Sequence, residues 1–220
     1  MFEVENITYL KNDWITYVFL VILLILSVLK ILFNDRLINT TTFFLSKKNV
    51  FSYFNKEKQL FFNLFQVLFF IVQFLTFSLL LYFLNEFSQF NTVYSSLKLF
   101  FIIAISVIIY FSFRFLLGLF LAYIFDLNSV HKKITFSKIN YFNILTLCIL
   151  PFLVFTAYSQ NLNDLPLKIT FSIFIFLLIV RYTLFLANNK KLIINNLFYF
   201  ILYLCALEIV PFVIILKLII

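Results

Sequence analysis

Three ionisable side chains stand deep inside long apolar runs: Arg114, Arg181 and Glu208. A charge at membrane depth costs on the order of 2.5–3.5 kcal/mol on insertion scales, so such groups face the interior of a helix bundle and pair. The chemistry open to them is narrow. They can form an ion pair that sets helix register, relay a proton, or bind and release an ion. Glu208 is the single acid of the apolar run 192–216, and Pro211 follows three residues later. That proline cannot donate to the carbonyl of Leu207, so a bare carbonyl lies beside the carboxylate. Pro151 does the same for Leu147.

Depth decides which base can reach the acid. At ~1.5 Å rise per residue, Arg114 lies roughly 5 Å to the inner side of the membrane middle. Glu208 lies roughly 5 Å to the outer side. The gap of about 10 Å can be closed by two extended side chains or a bridging water, and Arg114 is the preferred partner. Arg181 competes for Glu208, but it stands near the inner end of its run and is expected to snorkel to the headgroups. Two polar stripes surround these groups. Ser106, Tyr110, Arg114 and Gly118 recur at i+4, and Asn63, Gln66, Gln73 and Thr76 share a helical face. Buried amides in a bilayer need partners, so both stripes are expected to meet Glu208 in the core. The candidate site is therefore Arg114, Glu208, Pro211, Arg181, Tyr110 and Gln73.

Catalysis finds little support. A membrane hydrolase needs a nucleophile–base pair or a metal cluster. The one histidine, His131, falls in a basic stretch read as a loop, and the two cysteines, Cys148 and Cys205, lie in apolar runs. Asp35, Glu57, Asp126 and Asp164 are scattered. A single glycine, Gly118, leaves no phosphate-cradling loop and no GxxxG packing face. No catalytic, cofactor-binding or metal-binding residues are assigned, and no cofactor is expected.

The elements that must position these groups follow from composition. Of 220 residues, 64% are hydrophobic and 12% charged, with a mean hydropathy of +1.09. A soluble domain is about half apolar and a quarter charged. The fold class is an all-α membrane protein forming one polytopic domain, with about six spans at 14–33, 61–84, 97–125, 141–158, 167–187 and 192–216. The 35 phenylalanines reflect biased composition more than an aromatic conduit.

Charge orients the bundle. Arg36, Lys47, Lys48, Lys56 and Lys58 follow span one, Lys132, Lys133 and Lys138 follow span three, and Lys190 and Lys191 follow span five. The alternate connections carry Glu86 and Asp164, with Lys98 and Lys168 just inside the next spans. Basic loops face the cytoplasm, which puts both termini outside. The N-terminal stretch, with Glu3, Glu5 and Asp13, lacks a basic leader and a small-residue cleavage site. The stretch 43–62 mixes aromatics with four lysines and reads either as an interfacial segment in the first cytoplasmic loop or as a solvated basic loop. The net charge of +8 thus serves anionic lipid at the cytoplasmic face and not nucleic acid.

The run "YLCALEIVPF", residues 203–212, together with the chain length and hydropathy, resembles a family of Bacteroidota inner-membrane proteins catalogued only as a domain of unknown function. The resemblance implies that Cys205, Glu208 and Pro211 occupy that family's characteristic positions. It implies a multi-pass protein of a bacterial inner membrane and brings no activity or cofactor. Three readings follow. The first is an accessory or scaffold subunit of an envelope complex, with a membrane-protein partner. The second is a small transporter or ion-coupled carrier using Arg114 and Glu208. The third is a lipid-acting enzyme.

Overall fold

The computed structural model describes residues 13–42, 64–88, 95–126, 128–159 and 165–188. These form six helices: α1 (Asp13–Leu32), α2 (Asn34–Thr42), α3 (Leu64–Ser88), α4 (Ser96–Ile124), α5 (Asn128–Tyr158) and α6 (Leu165–Asn188). All except α2 are long and apolar enough to cross a membrane. Helix is the expected outcome, because a backbone in hydrocarbon must satisfy every N–H and C=O within its own segment. The sixth expected span, 192–216, and the interfacial segment 43–62 lie outside the described residues.

Local signals mark the helix ends. Asp13 in the first turn of α1 and Lys30 in its last complement the helix dipole. Phe33 breaks α1 from α2, yet the ladder carries across it: Phe33 N–H donates to Leu29 O at 2.9 Å, and Leu37 N–H donates to Phe33 O at 3.0 Å. Pro166 sits in the first turn of α6, where its missing N–H costs nothing. Helix α4 closes on Asp126, which takes the left-handed region at φ 50° and donates its N–H to Tyr123 O at 3.3 Å. That position favours glycine, but aspartate tolerates it better than most residues.

Helix α5 corrects the expectation of a basic loop at 126–140 followed by a span from 141. It begins at Asn128 and runs through Pro151 to Tyr158, and its span-capable part is Ile134–Tyr158. The reason is periodic. His131, Ile134, Ser137 and Tyr141 are all buried and follow one another at steps of three or four. Packing that stripe orders a helix despite Lys132 and Lys138.

The five long helices alternate in direction. Trp14 meets Tyr82 at 5.0 Å and Phe33 meets Phe65 at 5.8 Å, so α1 and α3 are antiparallel. Trp14 also meets Phe100 at 4.9 Å, while Phe111 meets Phe70 at 6.3 Å, which sets α4 antiparallel to α3. Tyr158 donates to Thr16 at 2.9 Å, placing the end of α5 at the start of α1. Helix α3 is central, packing on α1, α4, α5 and α6. The main apolar core runs through Phe19, Ile22, Val72, Leu79, Ile149 and Leu153. A smaller one joins Leu29, Phe65 and Phe69 below α2.

This arrangement sorts charge between the two ends of the bundle. Lys30, Arg36, Lys132 and Lys138 share one end with Asp35 and Asp126. Asp13, Glu86, Lys98 and Lys168 share the other. The first is called the basic end below.

Candidate functional site

A buried polar seam crosses the bundle between α3 and α5. Ser137, Asn140, Asn143 and Thr146 stand every third residue along α5, and all four are buried. Steps of three rotate about 60° each, so these residues do not all face one neighbour; Gln73 and Thr76 on α3 are buried too, and the α3–α5 contact is made at Asn143. The Gln73 amide Nε2 donates to Asn143 Oδ1. Thr76 and Thr146 return their hydroxyls to their own helices, donating to Val72 O at 2.7 Å and Phe142 O at 2.9 Å. Gln73 and Asn143 stand about 4 Å from the middle of their spans, where water is scarcest. Asn143 is 0% exposed, and its Nδ2 has no hydrogen-bond partner among the described residues.

Two cations join α5 and α6 toward the basic end. The Arg181 guanidinium lies 4.6 Å from the Phe142 ring centre and donates from Nη2 to Lys138 O at 3.4 Å. Lys138 Nζ lies 5.3 Å from the Phe185 ring centre. Each helix thus lays a cation on an aromatic ring of the other. Phe142 also stacks on Phe77 at 4.6 Å, tying this contact to the central helix. Nearer the other end, the Thr156 and Thr170 hydroxyls meet at 2.7 Å, again between α5 and α6.

The α4 stripe divides. Arg114 is half-buried and Gly118 is buried, on the face that carries Phe100, Ala104, Val107 and Ala122. Ser106 turns outward and donates to Ile103 O, and Tyr110 is 37% exposed. Steps of i+4 rotate about 40° each, so residues two steps before Arg114 have already left the packed face. Gln66 is half-buried. Asn63, Cys205, Glu208 and Pro211 lie outside the described residues.

His131 is a helical residue, buried in the first turns of α5, with Nε2 3.3 Å from Thr135 Oγ1. It stands outside the span-capable part of α5. Burial, and then the charge of Lys138, hold its pKa below the ordinary histidine value. Among the described residues no group of three or more His, Cys, Asp or Glu side chains could hold a metal ion.

The i+3 recurrence of Ser137, Asn140, Asn143 and Thr146 is visible in the sequence. Which of these four meets Gln73 is not legible there, because three-residue steps turn them around the helix. Lys138 and Phe185 carry no such signal, because their pairing depends on the register of two helices.

The family model for a domain of unknown function, DUF4271, matches residues 15–219. The chain belongs to the DUF4271 family. No curated protein and no solved structure matches the chain significantly. All the groups described above fall within the DUF4271 match, as do Glu208 and Pro211. Within the matched residues the chain forms a helical bundle, five of whose described helices are long and apolar enough to cross a membrane.

Proposed function

We propose that this DUF4271 chain is a non-catalytic protein of a bacterial inner membrane, serving as an accessory or scaffold subunit of an envelope complex. The observation that carries the reading is how the intramembrane polar groups are used. Gln73 joins Asn143, Thr156 joins Thr170, Tyr158 joins Thr16, and Arg181 joins Lys138 and Phe142. Each contact ties one helix to another, which holds a bundle rigid and presents its outer faces. On α4 the outer face is a broad apolar surface that includes Ile109, Phe113, Leu116 and Phe120. The basic end faces the cytoplasm, where anionic lipid attracts it, and both termini are extracytoplasmic.

The test is photo-crosslinking from Ile109, Phe113 and Leu116 in native membranes. The expected result is one protein adduct of defined mass that also co-purifies with the unlabelled chain. Lipid adducts alone would count against a scaffold.

A small ion-coupled carrier is the second reading, and the Asn143 Nδ2, without a hydrogen-bond partner among the described residues near the membrane middle, supports it. In a background with Cys148 and Cys205 changed to serine, Asn143→Cys would then react with a water-soluble thiol reagent from one side. A scaffold leaves that thiol unreactive. The Arg114–Glu208 pair is tested separately. Glu208→Gln should lower folded yield, and adding Arg114→Met should recover part of it.

A further inference from the structure

The reciprocal contact between α5 and α6 puts two cations at one depth. Counted from the span middles, the Lys138 and Phe185 Cα atoms lie about 12–13 Å toward the basic end, and the Arg181 Cα about 8 Å. Arg181 then reaches further the same way, since its Nη2 meets the carbonyl of Lys138. The half-thickness of the hydrocarbon core is about 15 Å. Both charged heads therefore sit just beneath the headgroup boundary. Neither Lys138 nor Arg181 is sealed off; both are half-buried, and Tyr182 beside them is exposed. The rings limit where the charges can go. Phe142 and Tyr182 lie 4.6 and 5.9 Å from the Arg181 guanidinium, and Phe185 supports Lys138. A pair of cations already ordered on aromatic faces loses little side-chain entropy on binding an anion. A planar guanidinium also matches phosphate oxygens in a two-bond fork.

We propose that the α5–α6 groove at the basic end binds the phosphodiester of an anionic phospholipid, with Arg181 and Lys138 on its oxygens and the acyl chains along the apolar outer face of α6. Leu178 and Ile175, on the edge of α6 that borders Arg181 and Tyr182, supply that face. The proposal rests on the membrane-spanning reading and not on the scaffold role. Partner crosslinking from α4 can fail while lipid binding holds, and the reverse.

The test uses the full chain in mild detergent, titrated with phosphatidylglycerol or phosphatidylcholine, with bound lipid counted by native mass spectrometry. Wild type should prefer phosphatidylglycerol. Lys138→Gln and Arg181→Gln should each weaken that lipid about fivefold and leave phosphatidylcholine unchanged. Arg181→Lys should keep part of the preference. Lys98→Gln with Lys168→Gln, at the opposite end, should change nothing. If Arg181→Gln yields no folded protein, Lys138→Gln carries the test, since its head lies at the span edge. Unchanged phosphatidylglycerol affinity in the variants would overturn the site. So would an equal loss from Lys30→Gln with Lys132→Gln, which marks diffuse attraction. Displacement of the lipid by inorganic phosphate would assign the groove to a free anion and overturn the lipid.

Discussion

The Gln73–Asn143 contact shows why a buried amide is consequential in a bilayer. Removing one partner strands the other in hydrocarbon, whereas removing both leaves only packing to repair. Gln73→Leu should therefore cost about 1–2 kcal/mol, and the double variant Gln73→Leu, Asn143→Leu should cost less than the single one. Equilibrium unfolding in mixed detergent measures both. His131 makes a prediction of opposite kind. Its folded pKa lies below the ordinary value near 6.5, because burial and Lys138 oppose its charged form. The unfolded chain thus takes up the proton first. Stability from this group is complete above about pH 6.5 and is lost as the pH falls through the window between the unfolded and folded values. A melting series from pH 8 to pH 5 should show the decline, and His131→Gln should flatten it. The sequence placed His131 in a loop on the strength of its lysine neighbours. It missed that a histidine three residues before Ile134 and six before Ser137 can be drawn inside.

At the level of helices, apolar run length was a good guide and boundary chemistry a poor one. The expected spans 97–125 and 167–187 coincide closely with α4 and α6. Helix α5 began earlier than expected because an amphipathic extension, not an apolar one, joins it to α4. The tight turn at Asp126 makes that join. Relieving its left-handed backbone by Asp126→Gly should leave stability unchanged or raise it by about 0.5 kcal/mol, while Asp126→Val should lower it by roughly 1–2 kcal/mol. Thermal melts of the three proteins decide it. Reading Ser106, Tyr110, Arg114 and Gly118 as one stripe shows the limit of i+4 counting. The packed face goes by steps of three or four through Phe100, Ala104, Val107, the half-buried Phe111 and Arg114, Gly118 and Ala122.

For the molecule as a whole, the decisive property is the sorting of charge between two ends. The alternating helices put Lys30, Arg36, Lys132 and Lys138 together, although they come from three different helices. Reporter fusions check the orientation this implies. A reporter joined after residue 126 should be cytoplasmic, and one joined after residue 160 should be extracytoplasmic. The opposite pattern would invert the bundle and with it the leaflet available to the α5–α6 groove.

Composition alone made this a multi-pass helical protein, because a chain so poor in charge cannot cover itself for water, and a backbone in lipid has to close its own hydrogen bonds. The same reasoning marked Gln73, Arg114 and Arg181 as groups needing company. Which company was settled by the fold. Asn143 for Gln73, and Phe142 with the Lys138 carbonyl for Arg181, depend on rotation and register between helices far apart in the chain. Hydrophobic periodicity constrains that geometry only to within a turn, and side-chain packing selects it.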